Sequence, residues 1–409
     1  MVRVAEAQPL EQRPRHGVLR MVAREQPGGA QRPEGVRDDR GRRLLMPRPV
    51  SNPPNPWLSE HVELLGEAPP ATLEVFEETA RSIVTGNDSP DLGFRWSVNP
   101  YRGCFHACAY CYARPTHQYL GWGAGTDFER RIVVKRNAPE LLRARFLTKG
   151  WRGELLAFSG VTDCYQPLEA SYALTRRCLQ VCRDFRNPVT IITKGALVRR
   201  DADLLAELAS VAPVSVHISV PFADDALARL IEPFASPPSQ RLETLRLLSA
   251  AGVPTGVIIA PVIPGLNDSQ IPEILRRARE AGASGAGRVL LRLPAEVRVV
   301  FEERLREALP LRADKVLHAL AEQHGGALYD SRWGHRMRGA GPRWQAIDAV
   351  FLAQCRALGL AVRGGPEPEG KAGPSGSGTM FAGEGDGGST FRRPGETAPL
   401  FGAEPPGRD

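Results

Sequence analysis

The sequence predicts an α/β fold, a partial (β/α)6 TIM-like barrel with a C-terminal helical extension and disordered tails. Three observations support this prediction: short β-rich runs alternate with helical patterns, turn and cap residues separate them, and low-complexity sequence lies on both sides. Strands that alternate with helices pair in parallel through right-handed crossovers, which places the helices outside the sheet. About six such units form an open barrel rather than the closed barrel of eight units.

Each predicted element rests on a local pattern. Runs rich in Val, Ile and Thr indicate strands, because β-branched residues favour extended backbone. Apolar residues that recur every three to four positions indicate helices, and Asn267, Asp268 and Ser269 supply cap signals before the last of them. The predicted strands are residues 97–101, 155–159, 189–193, 214–220, 257–262 and 289–293. The predicted helices are residues 169–185, 201–210, 239–251 and 270–282.

Composition divides the chain into five regions. The first and last regions are rich in Gly, Pro and charged residues and show no apolar periodicity. Both are expected to be disordered, because they have too few apolar residues to form a core. The expected regions are a basic tail at 1–50, an N-terminal lead segment at 51–95, the barrel at 96–300, a C-terminal helical cap at 301–363 and a second tail at 364–409.

The bulk composition is that of a globular protein, with 42% hydrophobic and 24% charged residues among 409. Much of the formal net charge of +7 comes from arginines in the first tail, which either attracts nucleic acid or stays solvated. No run approaches the roughly 20 apolar residues of a membrane helix. The amino terminus also lacks the apolar core of a secretory signal, so we expect no membrane association and a cytoplasmic location.

The cysteines divide unevenly along the chain: of seven, three lie in one short loop and four are scattered. An odd number with this clustering argues against a disulfide framework and for a metal site in a reducing compartment. The clustered residues are Cys104, Cys108 and Cys111, in a C-x-x-x-C-x-x-C pattern after the first predicted strand. Three thiolates on one short loop converge on a soft metal without long-range folding.

Three kinds of metal site fit this pattern. A structural zinc site needs a fourth ligand, which His106 or His117 can supply. A fully ligated iron–sulfur electron carrier needs a fourth Cys at a matching distance. The third kind is an iron–sulfur cluster with one iron left free to bind another molecule. Tyr110, an aromatic residue immediately before the last Cys of the loop, favours the third kind.

The segment NPYRGCFHACAYCYARPTH, followed by DFERRIVVK and GVTDCYQPLE, resembles the radical S-adenosylmethionine (SAM) superfamily. Within it, the chain is similar to proteins grouped with spore photoproduct lyase, and most similar to an uncharacterised branch called the Rv2578c-like proteins. The resemblance covers residues from about 50 to 362 and implies DNA repair or related lyase chemistry.

The resemblance also implies the cofactors. Cys104, Cys108 and Cys111 would ligate three irons of a [4Fe–4S] cluster, and the amine and carboxylate of SAM would chelate the fourth. Tyr110 would lie beside the cofactors. Reduction would cleave SAM to methionine and a 5′-deoxyadenosyl radical, which abstracts hydrogen from a substrate. A flavodoxin- or ferredoxin-type reductant is the implied electron donor.

Several residues at predicted strand ends match positions that the superfamily uses toward SAM. Thr162 and Asp163 follow the second strand and offer acceptors for the SAM ammonium, although Asp163 also fits a helix N-cap. Lys194 follows the third strand, where its own charge suits either the SAM carboxylate or a phosphate, unless it only solvates a loop. Ser219 lies near the end of the fourth strand. Pro261 belongs either to a rim loop near the adenine or to a plain turn.

Cys164 directly follows Asp163 and is the candidate catalytic thiol. Photoproduct lyases carry a hydrogen-donor Cys slightly earlier in this stretch, where this chain has Gly160. This departure argues against photoproduct-lyase activity itself, and Cys164 either replaces the donor or packs as a small apolar residue. The remaining thiols lie on apolar helical stripes and are expected to pack in the core: Cys178, Cys182 and Cys355.

A basic, Gly-rich and aromatic loop at residues 331–344 bears on the substrate. Arg332, Arg336 and Arg338 are candidate phosphate contacts, and Trp333 is a candidate stacking platform for a base, unless the loop is only a solvated connection. Together with the resemblance, this loop makes nucleic acid the first candidate substrate. The alternatives are a radical SAM maturase of a peptide or protein, and a non-catalytic metal or iron–sulfur module that binds nucleic acid.

Overall fold

The computed structural model describes a strand at residues 3–6 together with residues 72–333, 335–363 and 389–394. The strands, in chain order, are β1 (Arg3–Glu6), β2 (Glu74–Glu78), β3 (Val84–Gly86), β4 (Trp96–Val98), β5 (Tyr101–Arg102), β6 (Arg131–Lys135), β7 (Leu156–Phe158), β8 (Val189–Thr193), β9 (Val214–Ser219), β10 (Thr255–Val262), β11 (Gly285–Leu290) and β12 (Ala361–Arg363). The α-helices are α1 (Thr126–Arg130), α2 (Ala138–Leu147), α3 (Glu169–Tyr172), α4 (Leu174–Asp184), α5 (Ala202–Ala209), α6 (Asp225–Ile231), α7 (Pro238–Ala250), α8 (Ile271–Glu280), α9 (Glu296–Ala308), α10 (Ala313–Glu322) and α11 (Pro342–Leu358).

The main sheet has eight strands in the order β12-β11-β10-β9-β8-β7-β4-β3. All neighbouring pairs are parallel except β3 with β4. Helices lie between successive parallel strands, as in β8-α5-β9 and β10-α8-β11. Strands β4 and β7 to β11 correspond to the predicted units, so the α/β fold with a parallel sheet is confirmed. Among the described residues, the edge strands β3 and β12 do not pair with each other.

Three elements differ from the sequence-based expectation. β11 begins at Gly285 rather than at residue 289, because Gly285, Ala286 and Gly287 carry little strand signal in the sequence. The expected helix 169–185 is divided into α3 and α4 by Ala173, whose φ is 50°. The C-terminal extension adds β12 to the edge of the main sheet, parallel to β11.

The expected tails are described only in part. Within the basic tail, β1 pairs in parallel with β2, from Arg3 opposite Glu74 to Glu6 opposite Glu77. Within the region 364–409, which was expected to be disordered, residues 389–394 pack against the barrel. The rest of both tails lies outside the described residues. No helix in the described part of the chain is long and apolar enough to cross a membrane.

A second sheet, in the order β1-β2-β6-β5, determines where the cysteine loop begins. β5 immediately precedes Gly103 and pairs antiparallel with β6, so that Tyr101 lies opposite Val134. Tyr101 is fully buried, and its hydroxyl donates to Glu169 Oε2 at 2.5 Å. The chain that enters the loop is therefore held by both a strand and α3.

The main hydrophobic cluster joins the parallel strands to the surrounding helices. Ile191, Val216 and Ile259, from three neighbouring strands, are fully enclosed in it. Burying an aliphatic side chain of this size contributes about 1.5–3 kcal/mol. This packing places the predicted site residues together, because they lie at or after the carboxyl ends of β4, β7, β8, β9 and β10. Ligands of parallel α/β folds bind at this edge.

Candidate metal centre at the carboxyl ends of the strands

The cysteine loop begins with a tight turn at Gly103, whose φ is +77°. A Cβ atom here would lie 2.8 Å from the Phe128 carbonyl oxygen, which accepts the Cys104 amide at 3.0 Å. Further along, the Cys111 amide donates to the Cys108 carbonyl at 3.2 Å. Hydrogen bonds between backbone groups therefore help to shape the loop, and only glycine fits at its first turn.

Two buried arginines and a glutamate hold the back of the loop. Arg114 is fully enclosed and donates to the Cys108 carbonyl at 2.7 Å. Arg304 of α9 donates to the Ala107 carbonyl at 2.7 Å. Glu129 accepts hydrogen bonds from both guanidinium groups, so each buried cation has a carboxylate partner. No sequence pattern predicted this cluster, whose one local signal is an arginine on the buried face of α9.

Tyr110 connects the loop to the fourth parallel strand. It is buried, and its hydroxyl donates to Glu232. The other carboxylate oxygen of Glu232 pairs with Arg241 of α7. Arg241 also donates to the Ser219 carbonyl at 3.0 Å, at the end of β9. No motif in the sequence indicated Glu232 or Arg241.

Asp163 connects the loop to the second and third strand ends. His106 Nδ1 lies 3.4 Å from Asp163 Oδ2. The Thr193 hydroxyl donates to Oδ1 at 2.6 Å, the Lys194 amide to Oδ2 at 2.8 Å and the Tyr165 amide to Oδ1 at 2.9 Å. Asp163 is not the helix N-cap that the sequence allowed, because α3 begins only at Glu169. Burial by itself raises the pKa of Asp163, but His106 and these donors lower it to about 2. Asp163 is therefore a carboxylate whose oxygens already accept from the protein.

Thr162 holds the start of the cysteine loop. Its hydroxyl donates to the Gly103 carbonyl at 2.6 Å, and Gln166 Nε2 donates to the same oxygen at 3.2 Å. Gln166 Oε1 also accepts the Phe105 amide at 3.0 Å. Thr162 therefore contacts the loop itself, a relationship that the strand-end pattern did not reveal.

Both histidines considered as zinc ligands are engaged by the protein. His117 is fully buried, its Nε2 lies 2.9 Å from the Arg131 carbonyl oxygen, and burial lowers its pKa to about 4. His106 lies against Asp163. Within the described residues, no three His, Cys, Asp or Glu side chains are grouped closely enough to hold one metal ion.

The donor set instead suits an iron–sulfur cluster. The three loop thiols are free of disulfide bonds; Cys104 and Cys108 are buried, while Cys111 is half-buried. Burial raises the pKa of Cys104 and of Cys108, and nearby carboxylates and thiols add to this effect. Metal binding offsets such a penalty, because the cation stabilises thiolates. In a cluster each thiolate binds its own iron, so the thiols need not surround a single ion.

A polar group lies at the ends of β8, β9 and β10. Lys194 Nζ donates to Ser219 Oγ at 3.0 Å and to the Ala260 carbonyl at 3.4 Å. The same Nζ lies 5.5 Å from the centre of the Tyr110 ring. Ser219 Oγ donates to the Ala260 carbonyl at 3.1 Å, next to a cis peptide bond with Pro261. The structure thus brings together four residues that the sequence analysis selected separately.

Cys164 does not belong to this polar group. Its side chain is fully buried in the main hydrophobic cluster, and its amide donates to Ser159 Oγ at 3.0 Å. Burial raises the pKa of its thiol. This environment favours packing over the catalytic role. The other scattered thiols are also fully buried: Cys178, Cys182 and Cys355.

A cationic rim lies beside the cysteine loop. The hydroxyl of Tyr112 donates to the Gly160 carbonyl at 2.8 Å, and the Arg292 guanidinium lies 5.3 Å from the centre of the Tyr112 ring. Arg292 Nε is buried without a hydrogen-bond partner in the described part of the chain. The basic loop of residues 331–344 lies at the carboxyl end of β11, because the Met337 carbonyl accepts the Leu290 amide at 3.2 Å.

The arginines of that basic loop are partly neutralised. Arg336 pairs with Asp91 at 2.6 Å, and Arg332 pairs with Asp330 at 2.6 Å. Trp333 is 54% exposed, as a stacking platform requires. The ion pairs reduce the charge that Arg332 and Arg336 offer to phosphate, and their role as phosphate contacts stays a prediction.

A family model described as the radical SAM superfamily matches residues 98–278, which include the cysteine loop and the ends of β7 to β10. An uncharacterised protein of Methanocaldococcus jannaschii is 32% identical over 196 residues, which cover 48% of this chain and 70% of that protein. The chain belongs to the radical SAM superfamily. The cofactors of this superfamily are a [4Fe–4S] cluster and SAM, as the sequence predicts.

The expected kinship within the radical SAM superfamily is also confirmed. The uncharacterised protein Rv2578c of Mycobacterium tuberculosis is 41% identical over 221 residues, 54% of this chain and 65% of that protein. The match therefore spans slightly less than two thirds of the length of this relative.

Solved structures support the fold. Spore photoproduct lyase complexed with dinucleoside spore photoproduct has a TM-score of 0.52 and 15% identity, with 71% of this chain and 81% of that chain covered. A mutant of that lyase with bound AdoMet and the same dinucleoside has a TM-score of 0.52 and 14% identity over the same shares of 71% and 81%. At this identity the likeness establishes the fold alone.

Proposed function

We propose that this radical SAM protein binds a [4Fe–4S] cluster through Cys104, Cys108 and Cys111 and uses it to cleave SAM reductively. The observation that carries the proposal is the meeting of three free thiols with Lys194 and Ser219 at one edge of a parallel sheet. When bound, such a cluster supplies the electron that splits SAM into methionine and a 5′-deoxyadenosyl radical, which abstracts hydrogen from the substrate.

The chain's own residues position and enclose the cofactors in this proposal. Lys194 supplies a cation for the SAM carboxylate, and Ser219 supplies a neighbouring hydroxyl. Thr162 and Asp163, whose polar atoms already bond within the protein, act mainly by holding the cysteine loop. Pro261 lies within β10, next to its carboxyl end, and not in the rim loop or turn that the sequence indicated; from that position it would border the adenine.

We further propose a nucleic acid as the substrate. Three features support it: the Nε of Arg292, which has no partner among the described residues, the exposed Trp333, and the dinucleoside bound by the lyase of similar fold. A phosphate suits Arg292, and a base suits an exposed indole. Because Cys164 is enclosed in the core, we do not extend the proposal to the lyase reaction itself. A flavodoxin- or ferredoxin-type donor in the cytoplasm would supply the electron.

The first test is SAM cleavage. Protein purified without oxygen is reconstituted with iron and sulfide, reduced with dithionite and assayed for 5′-deoxyadenosine by chromatography. The unmodified chain and Cys355→Ala, which removes a buried thiol far along the chain, are expected to form the product. Cys108→Ala is expected to form none. A zinc-loaded, colourless protein that neither binds nor cleaves SAM would contradict the proposal.

The second test concerns the substrate. Binding of a labelled single-stranded oligonucleotide is compared between Arg292→Ala and Arg298→Ala. Arg298 is a suitable control because it lies on α9 and pairs with Glu302 at 3.0 Å. Weaker binding only for Arg292→Ala supports a nucleic acid substrate. Equal binding by both variants would instead favour a peptide or protein as the substrate of a maturase.

A further inference from the structure

A short segment near the carboxyl terminus occupies a pocket on the opposite face of the barrel from the cysteine loop. The pocket is formed by residues that precede β7 and β8, at the amino ends of these strands. Phe391 enters it and is 7% exposed. Its ring lies 5.8 Å from the ring centre of Phe146 and 6.0 Å from that of Phe185. Trp151 stacks on Phe146 at 5.3 Å and completes the aromatic wall.

The shape of the pocket depends on Gly153. Its φ is +86°, and a Cβ atom there would lie 2.2 Å from Phe391 Cβ. Any other residue at this position would collide with the segment, so the glycine leaves the space that the phenylalanine fills. The segment and the wall therefore have complementary shapes, because the ring of Phe391 lies where Gly153 has no side chain.

Hydrogen bonds hold the backbone on either side of Phe391. The Arg392 amide donates to the Phe185 carbonyl at 2.9 Å, and the Thr390 hydroxyl donates to the Arg186 carbonyl at 2.9 Å. Ser389 Oγ donates to the Arg152 carbonyl at 3.1 Å. The segment thus satisfies carbonyl groups of the loops before β7 and β8, as an added strand or bound peptide does.

Arg393 adds charge recognition. Its Nη2 donates to the carbonyl oxygens of Thr148 and Trp151, each at 3.0 Å. Thr148 is the C-cap residue of α2, and the carbonyl groups at a helix carboxyl terminus carry partial negative charge that attracts a cation. Arginine suits the position because one guanidinium nitrogen serves two acceptors.

We propose that this pocket is a peptide-binding site for a Phe-Arg-Arg sequence and that its occupant is residues 389–393 of the same chain. Within the described part of the chain, the contacts given above join the segment to residues 146–153 and 185–186 of the barrel. Residues 364–388 connect it to β12 and can span roughly 80 Å when extended. A short sequence joined by such a linker binds as a peptide held at high effective concentration. The site is independent of SAM chemistry.

The test uses a labelled peptide of residues 387–396 and the full chain. Fluorescence anisotropy measures its binding to the unmodified chain, to Phe391→Ala and to Phe401→Ala, which changes another phenylalanine of the same tail. In the Phe391→Ala chain the altered segment no longer fills the pocket, so the peptide is expected to bind. It is expected to bind the other two chains at least ~10-fold more weakly, because their own segments compete.

A second peptide tests recognition itself. Replacing Phe391 with Ala in the peptide is expected to weaken binding to the Phe391→Ala chain roughly 100-fold, the loss of one buried aromatic side chain. Hydrogen exchange of the unmodified chain provides a measurement without any variant, since the Arg392 amide is expected to be protected. Equal peptide binding by all three chains, or no binding together with an unprotected Arg392 amide, would overturn the proposal.

Discussion

Tyr110 and Glu232, 122 positions apart in the chain, share a buried hydrogen bond. Glu232 also pairs with Arg241, which donates to the backbone at the end of β9. One enclosed carboxylate therefore joins the cysteine loop to the strand that carries Ser219. Such a group is costly to leave without partners, because a buried charge depends on its counter-ion and hydrogen bonds.

We predict that the effects of substituting Tyr110 and Glu232 on the free energy of unfolding are not additive. Tyr110→Phe is expected to lower the free energy of unfolding by ~1–3 kcal/mol, because an oxygen of Glu232 loses its donor. Glu232→Ala is expected to cost ~3–5 kcal/mol, because Arg241 is left buried without a counter-ion. Denaturant unfolding of both single variants and the double variant measures the coupling, with the exposed Tyr119→Phe as control. Strict additivity would contradict a shared interaction.

Two arginines on α9 provide a matched pair of variants. Arg304→Ala removes the donor to the Ala107 carbonyl and one of the two cations beside Glu129, so we expect a loss of ~3 kcal/mol in unfolding free energy. Arg306→Ala removes an exposed pair with Asp314 and is expected to cost less than ~1 kcal/mol. Denaturant titration compares them, and iron content after reconstitution reports on the loop. Equal losses would show that the buried cluster does not support the loop.

The buried His117 predicts a specific dependence of stability on pH. Burial lowers its pKa in the folded protein to about 4, below the ordinary value of 6.5. As the pH falls, His117 of the unfolded chain takes up a proton at a higher pH than His117 of the folded protein does. The neutral buried His117 therefore makes its full contribution to the free energy of unfolding above pH 6.5, and that contribution is lost as the pH falls toward 4. The expected loss is about 3 kcal/mol.

His117→Gln provides the comparison for this pH effect. The variant has no ionisable group at this position, so the difference in stability between it and the unmodified chain should shrink as the pH falls from 6.5 to 4. Denaturant unfolding at several pH values measures it. A difference that stays constant across this range would show that His117 titrates alike in both states.

Lys194 is predicted to contribute to SAM affinity. Lys194→Met keeps much of the side-chain length but removes the ammonium, and we expect SAM to bind roughly 10- to 100-fold more weakly to the cluster-loaded protein. Lys149→Met, at an exposed position, is the control. Calorimetric titration with SAM measures both affinities, and iron content verifies equal loading. Unchanged affinity in Lys194→Met would assign the lysine to its internal contacts with Ser219 and Ala260 only.

Much of the fold could be predicted because its signals are local. The β-rich runs before Cys104 and after Val189 need only their own residues to favour extended backbone. The sequence pattern predicts a start of β11 that is too late along the chain. The first residues of the strand, Gly285 and Ala286, have almost no side chain, and their pairing with β10 is a tertiary effect.

The site was predictable to the same extent. The three cysteines stand together in the sequence, and strand ends in a parallel sheet converge, so Lys194 and Ser219 could be expected to meet. The charge cluster of Arg114, Glu129 and Arg304 could not be expected, because the contact between Arg304 and Glu129 joins positions 175 residues apart. The sequence also did not decide the environment of Cys164, because adjacent positions at a strand end can face either the site or the core.

The sequence by itself determined the alternation of strands and helices, the cysteine loop and membership of the superfamily, since these depend on residue types at short spacing. Only the tertiary structure decided which charges are buried together, as for Glu232 with Arg241, and which segment Phe391 packs against. Desolvation and close packing act between atoms that folding brings together, and no local pattern records those distances.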